Sequence, residues 1–146
     1  MATPRQPTKY HVWDGEKWAL DQEELLEAFR RQKILEIQQA SNAAIAAITA
    51  GYTVGEVQSF DRQRAGAIDY LAGNTMTTDA QYVAALAAAR ASAGDAECTA
   101  AWLAARIKSN ADAAAAYTIA ILGKQQGLEA RVRAATSVAE VEAIAW

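Results

Sequence analysis

Few residues in this chain could do chemistry, and their spacing favours none. Cys98 and His11 are its only cysteine and histidine. A zinc site built from Cys and His would lack ligands, and a lone cysteine leaves no intrachain disulfide framework. A serine nucleophile needs a base to take its proton; Ser41 would have only His11, which falls in an expected hairpin. Cys98, near an expected helix start, could have a lowered pKa, but a buried or half-buried structural thiol is the simpler reading. Asp61, Asp69, Asp79 and Asp95 read as separate helix caps or solvated charges rather than paired catalytic carboxylates. Glu23, Glu24 and Glu27 lie at a helix start, where the helix dipole favours negative charge. Neither Thr53-Val54-Gly55 nor Leu122-Gly123-Lys124 has the glycine spacing with Lys-Ser/Thr that cradles phosphate. No catalytic, cofactor-binding or metal-ligating residue emerges, and a non-enzyme is expected.

The tryptophans carry more information. Trp13 and Trp18 fall on a short stretch, Tyr10 to Leu20, that cannot bury two indoles by itself. Either they dock on the apolar patch of Leu25, Leu26 and Phe29, or they anchor an interface, where tryptophan is enriched among hot spots. Tyr10, Trp13, Trp18, Leu26 and Phe29 are the candidate partner-binding residues. Trp102, expected in mid-helix, is read as core. Trp146 is a last residue and so prone to fraying, but an indole there points to a docked tail.

The elements that must position these residues are legible. The first nine residues, with Pro4 and Pro7, read as a flexible arm. Residues 10–20 read as a β-hairpin turning at Asp14-Gly15, a type I′ signal because both central positions need positive φ. Asp21 caps a long helix, about Gln22 to Ala50, with Glu24 reaching back. Glu27 and Arg31 form an expected i,i+4 pair on it. Ile34, Ile37, Ser41, Ala44 and Ile48 step by three and four, a short heptad seam; Ile34, Ile37 and Ile48 are the candidate oligomer contacts. Gly51 ends this helix as a C′ residue. Tyr52–Phe60 alternates loosely and suits a short extended segment or second hairpin. Helices are then expected at about Arg62–Ala72, from Thr77 or Thr78 to Ala93, and from Ala96 to at least Leu122. Leu128, Val132 and Ala135 continue a helical pattern, and Ser137 with Glu140 opens a last turn. The expected fold is mainly α: arm 1–9, hairpin 10–20, and an alanine-rich helical bundle over 21–146.

Composition sets the energetics. Of 146 residues, 37 are alanine, leaving 39 larger apolar side chains to bury. At roughly 25 cal/mol per Å² of apolar area, an alanine core gains little per residue, although small side chains let helices approach closely. A partner or self-association is therefore expected to supply the missing burial. Net charge is −3, and no basic run exceeds Arg30-Arg31, which argues against nucleic-acid binding by phosphate neutralisation. No stretch has the apolar length of a membrane span, and Met1–Arg5 shows no signal-peptide core.

Val12-Trp13-Asp14-Gly15-Glu16-Lys17-Trp18, followed by a charged helix into Lys33-Ile34-Leu35-Glu36-Ile37, resembles the C-terminal half of bacteriophage tail fibre assembly proteins. In those, a W-D/N-G-x-x-W hairpin precedes a helix with a Lys/Arg-x-x-x-Ile pattern. The remainder resembles a phage and prophage tail-protein domain, through Ile48–Tyr52, Ser59-Phe60-Asp61 and the closing block Gly127–Trp146. The resemblance implies an assembly chaperone that binds a trimeric tail fibre through apolar contacts, in the host cytoplasm during phage assembly. The alternative it implies is a permanent structural subunit of the fibre or baseplate in the virion tail, contacting other tail subunits or further copies of itself. It brings no catalytic residues.

Overall fold

The computed structural model describes residues 5–146. Two short strands, β1 (His11–Trp13) and β2 (Trp18–Leu20), pair antiparallel, with His11 opposite Leu20 and Trp13 opposite Trp18. Five helices follow: α1 (Gln22–Thr49), α2 (Val54–Leu71), α3 (Thr78–Ser92), α4 (Ala100–Ala134) and α5 (Val138–Glu142). The mainly helical fold with a small N-terminal hairpin agrees with the reading of the sequence. The chain divides into two compact units, one of residues 1–44 and 121–146, the other of residues 45–120. α1 and α4 each supply residues to both.

In the first unit, Ile37 of α1 packs with Leu128 and Val132 of α4, Ala135, Val141 of α5 and Ile144. Leu26, Phe29 and Ile34 lie against this cluster. Charge holds the same elements in register. The Arg30 guanidinium donates to Glu27 and to the backbone carbonyl of Ala135, just past the end of α4. Glu27 thus pairs one residue earlier than expected, with Arg30 instead of Arg31. Glu129, only 8% exposed, accepts from Gln38 Nε2 at 3.2 Å, Gln125 Nε2 at 2.9 Å and an Arg133 guanidinium nitrogen at 2.7 Å. Those amides hold its carboxyl below the ordinary glutamate value, Gln125 most, against the opposing effect of burial.

The second unit is an alanine-dominated core. Ala67, Val83, Ala87, Cys98, Leu103 and Ala104 are buried together, with Tyr70, Leu86 and Ile107 beside them. Gly66 explains how α2 and α3 come so close. A Cβ placed there would sit 2.1 Å from the Asp79 carbonyl oxygen and 2.8 Å from Val83 Cγ2.

Several local expectations are corrected. Tyr52–Phe60 is not extended: α2 begins at Val54 under a capping box, with Thr53 Oγ1 accepting from the Glu56 amide and the Glu56 carboxylate accepting from the Thr53 amide. Two satisfied amides outweigh the β-branched residues that suggested a strand. Gly51 does not take the left-handed conformation of a C′ residue; Gly73 and Gly94 do so after α2 and α3. The hairpin turn is not type I′, because Asp14 keeps negative φ and only Gly15, at 105°, is positive. Four residues link Trp13 to Trp18, and the Asp14 carboxylate closes the loop. α4 runs unbroken through Gly123 and Gly127. Of the expected arm, Met1–Pro4 lie outside the described residues; Gln6 donates to the His11 carbonyl and Thr8 bonds His11 Nδ1.

Candidate functional site

The candidate interface is built from the turn outward. Asp14 Oδ1 accepts from the amides of Glu16 at 2.9 Å and Lys17 at 2.8 Å, while the Asp14 amide donates to the Lys17 carbonyl at 3.0 Å. These amide donors, Lys17 foremost, pull the Asp14 carboxyl below its ordinary value. The closed loop sets Trp13 across from Trp18 on one face of the ribbon. Their rings meet edge to face, with centroids 5.5 Å apart and planes at 64°, an arrangement that the ring quadrupole favours. Both indoles are half-buried, and Val12 on the opposite face is exposed.

Where the hairpin runs into α1, the Asp21 amide donates to the Tyr10 carbonyl and Asp21 Oδ1 caps the helix at the Glu24 amide, 2.9 Å away. This joint places Tyr10 next to one face of α1. Between them lies a groove of about 470 Å³, lined by Lys9, Tyr10, Phe29, Arg31, Gln32 and Leu35. The Lys9 ammonium sits 4.9 Å from the Tyr10 ring centre.

The structure therefore brings Tyr10 and Phe29 to one groove and Trp13 and Trp18 to one ribbon face, while Leu26 lies against the core. The expected oligomer seam is not one surface. Ile37 is 1% exposed inside the first unit's core and Ile34 packs against that core. Ile48 instead lines a shallow groove of the second unit with Tyr52, Asn110 and Tyr117. Ile37 has no surface left to offer a second copy.

Trp102 differs from the reading of the sequence, and Trp146 follows it. Trp102 is not core: it is 42% exposed, with the guanidinium groups of Arg90 and Arg106 at 5.7 and 5.5 Å from its ring. Trp146 is covered on one side by the Lys124 ammonium at 4.6 Å, next to buried Val141 and Ile144. Not one of the eleven aromatic side chains is fully buried. Alanine neighbours carry no signal of this, because the same tract is compatible with a core or a surface.

The residues weighed for chemistry are dispersed. Ser41 Oγ is buried without a hydrogen-bond partner among the described residues, and His11 bonds Thr8. Cys98 lies in the second unit's core. Asp69 accepts from Thr77, Asp79 from Arg62 and Asp95 from Arg90. Among the described residues no group of three His, Cys, Asp or Glu could hold a metal ion, and no helix is long and apolar enough to cross a membrane. Comparison with protein-family models, with curated proteins and with solved structures finds no match.

Proposed function

We propose that this chain is a phage tail-fibre-associated protein that acts by binding, as an assembly chaperone covering apolar fibre surface until the fibre trimer closes. The observation that carries this reading is that none of its aromatics is fully buried, with Trp13 and Trp18 set edge to face across a hairpin that lies outside both buried clusters. Rigid, half-exposed indoles present a large contact area at low entropic cost, and such residues dominate binding energy at interfaces. The resemblance of the hairpin and its following helix to tail fibre assembly proteins supplies the partner. In this reading the protein works in the host cytoplasm and needs neither cofactor nor membrane nor nucleic acid.

A second reading is a permanent subunit of the fibre or baseplate. It is favoured by exposed Val54, Met76 and Ile119 in the second unit, since permanent interfaces are more apolar than transient ones. The test is co-expression with the tail-fibre polypeptide of the same phage, followed by mass spectrometry of purified virions. The chaperone reading expects a higher yield of soluble fibre trimer, co-purification with unassembled fibre, and absence from virions. Stoichiometric presence in virions would establish the second reading instead. Failure to bind fibre or any tail subunit would remove both.

A further inference from the structure

We infer that the groove between Tyr10 and α1 is a recognition site for an acidic segment of a partner polypeptide, one that sets a bulky apolar side chain next to carboxylates. This rests on the binding reading above and specifies the chemistry of what is bound.

The lining divides into two kinds of surface. Tyr10, Phe29 and Leu35 offer aromatic and aliphatic area, and Leu35 is half-exposed. Lys9 and Arg31 offer charge, and every charged residue of the lining is cationic, in a chain whose net charge is −3. Among the described residues, Lys9 meets the face of Tyr10 and no carboxylate, and Arg31 forms no ion pair. The neighbouring cations of α1 differ: Arg30 is paired with Glu27 and Lys33 with Glu36. Glu36 is also held by Gln32 of the lining, so this carboxylate is engaged and held below its ordinary value, chiefly by Lys33. Two cations with no carboxylate partner among the described residues, both lining an apolar groove, complement a ligand with the opposite arrangement. Arg31 can take a carboxylate bidentately, while Tyr10, Phe29 and Leu35 receive the apolar side chain.

A polypeptide fits better than a polynucleotide. Phosphate-backbone binding draws on a run of cations along a track. Here Glu23, Glu24, Glu27 and Glu36 share the helix that carries Arg31. A short acidic peptide needs only the two charges present.

The experiment is selection of a random decapeptide library on the immobilised full chain, in parallel with the Lys9→Glu/Arg31→Glu double variant. Both positions are exposed, so the fold should survive; circular dichroism checks this, and Lys9→Gln/Arg31→Gln serves if the reversal perturbs the helix. The expected result is enrichment of peptides with Asp or Glu next to Leu, Phe or Trp. Their affinity should fall at least about tenfold on the double variant, fall with added salt, and drop again with Leu35→Ser. Peptides without acidic enrichment, peptides that bind the variant equally, or no binders would each overturn the inference. Binding of an oligothymidine strand to the wild-type chain and not to the variant would overturn it in favour of nucleic acid. Fibre co-purification by the double variant as efficient as wild type, with Trp13→Ala defective, would refute the groove and leave the chaperone reading intact. Selection of acidic peptides by a chain that binds no fibre would do the reverse.

Discussion

At the scale of single residues, two structural effects sit at positions outside the candidate interface. Gly66 lies in the middle of α2, where alanine would be preferred by about 1 kcal/mol on propensity alone. A Cβ there collides with the backbone of Asp79 at 2.1 Å. Backbone cannot swing aside as a lysine tip can, so the clash should win. Gly66→Ala is expected to destabilise the protein by about 1–3 kcal/mol, read as a lower urea midpoint with an unchanged slope. An unchanged or higher midpoint would show that α2 and α3 can separate freely. The sequence Ala65-Gly66-Ala67 gives no hint of this, because what singles out Gly66 is a carbonyl 13 residues away in the chain. Glu129 was equally hidden. Its three partners come from positions 38, 125 and 133, and only the α1–α4 pairing assembles them. Glu129→Ala would leave the half-buried Gln38 and Gln125 amides without their acceptor. The expected cost is about 1–2 kcal/mol, whereas Arg133→Ala, at the exposed end of the same network, should change the midpoint little.

At the scale of elements, what was legible followed local hydrogen-bonding groups, and what was not legible followed competition between them. The hairpin and α1 could be read because Asp14-Gly15 and Asp21 mark turn and cap within a few residues of the aromatic and apolar runs they organise. The turn type could not, since the Asp14 carboxylate takes two amides and removes the need for a second positive φ. α2 is the instructive case. Val54, Gly55 and Val57 are poor helix formers, and their alternation resembles a strand. Thr53 and Glu56 overrule them by satisfying two of the amides a helix start leaves open. Thr53→Ala should therefore cost about 1 kcal/mol and fray the first turn of α2. Hydrogen exchange is the measurement: faster exchange is expected at the Glu56 and Val57 amides, with the α3 amides unchanged. The hairpin makes a converse prediction. Trp13→Ala removes the edge-to-face pair with Trp18 but touches neither buried cluster. Far-UV circular dichroism should stay helical while fibre capture falls. Collapse of the helical signal would make Trp13 a core residue and remove the basis for an interface there.

At the scale of the whole molecule, ionisation adds a bias that no single group reveals. Each of the five carboxylates with a displaced pKa is displaced downward: Asp14 by the turn amides of Lys17 and Glu16, Glu36 by Lys33 and Gln32, Glu56 and Glu140 by the amides and hydroxyls of Thr53 and Thr136, and Glu129 by Gln125 and Gln38. A carboxylate whose pKa is lower in the folded chain binds fewer protons there than when unfolded. Its contribution to stability is complete above the unfolded value, about 4 for Asp and Glu, and is lost as pH falls through the lower folded values. Stability should be level above about pH 5 and decline on acidification below it, as urea midpoints at a series of pH values would show. The distribution is uneven. Asp14, Glu36, Glu129 and Glu140 belong to the unit of residues 1–44 and 121–146, and Glu56 alone to the other. Tryptophans report on each: Trp146 in the first, Trp102 in the second. In variants with the remaining tryptophans changed to Phe, the Trp146 emission should shift at a higher pH than that of Trp102. Coincident acid transitions would mean that these hydrogen bonds do not set the acid limit of either unit, and a Trp102 transition at the higher pH would mean that the second unit's core, poor in large side chains, yields first.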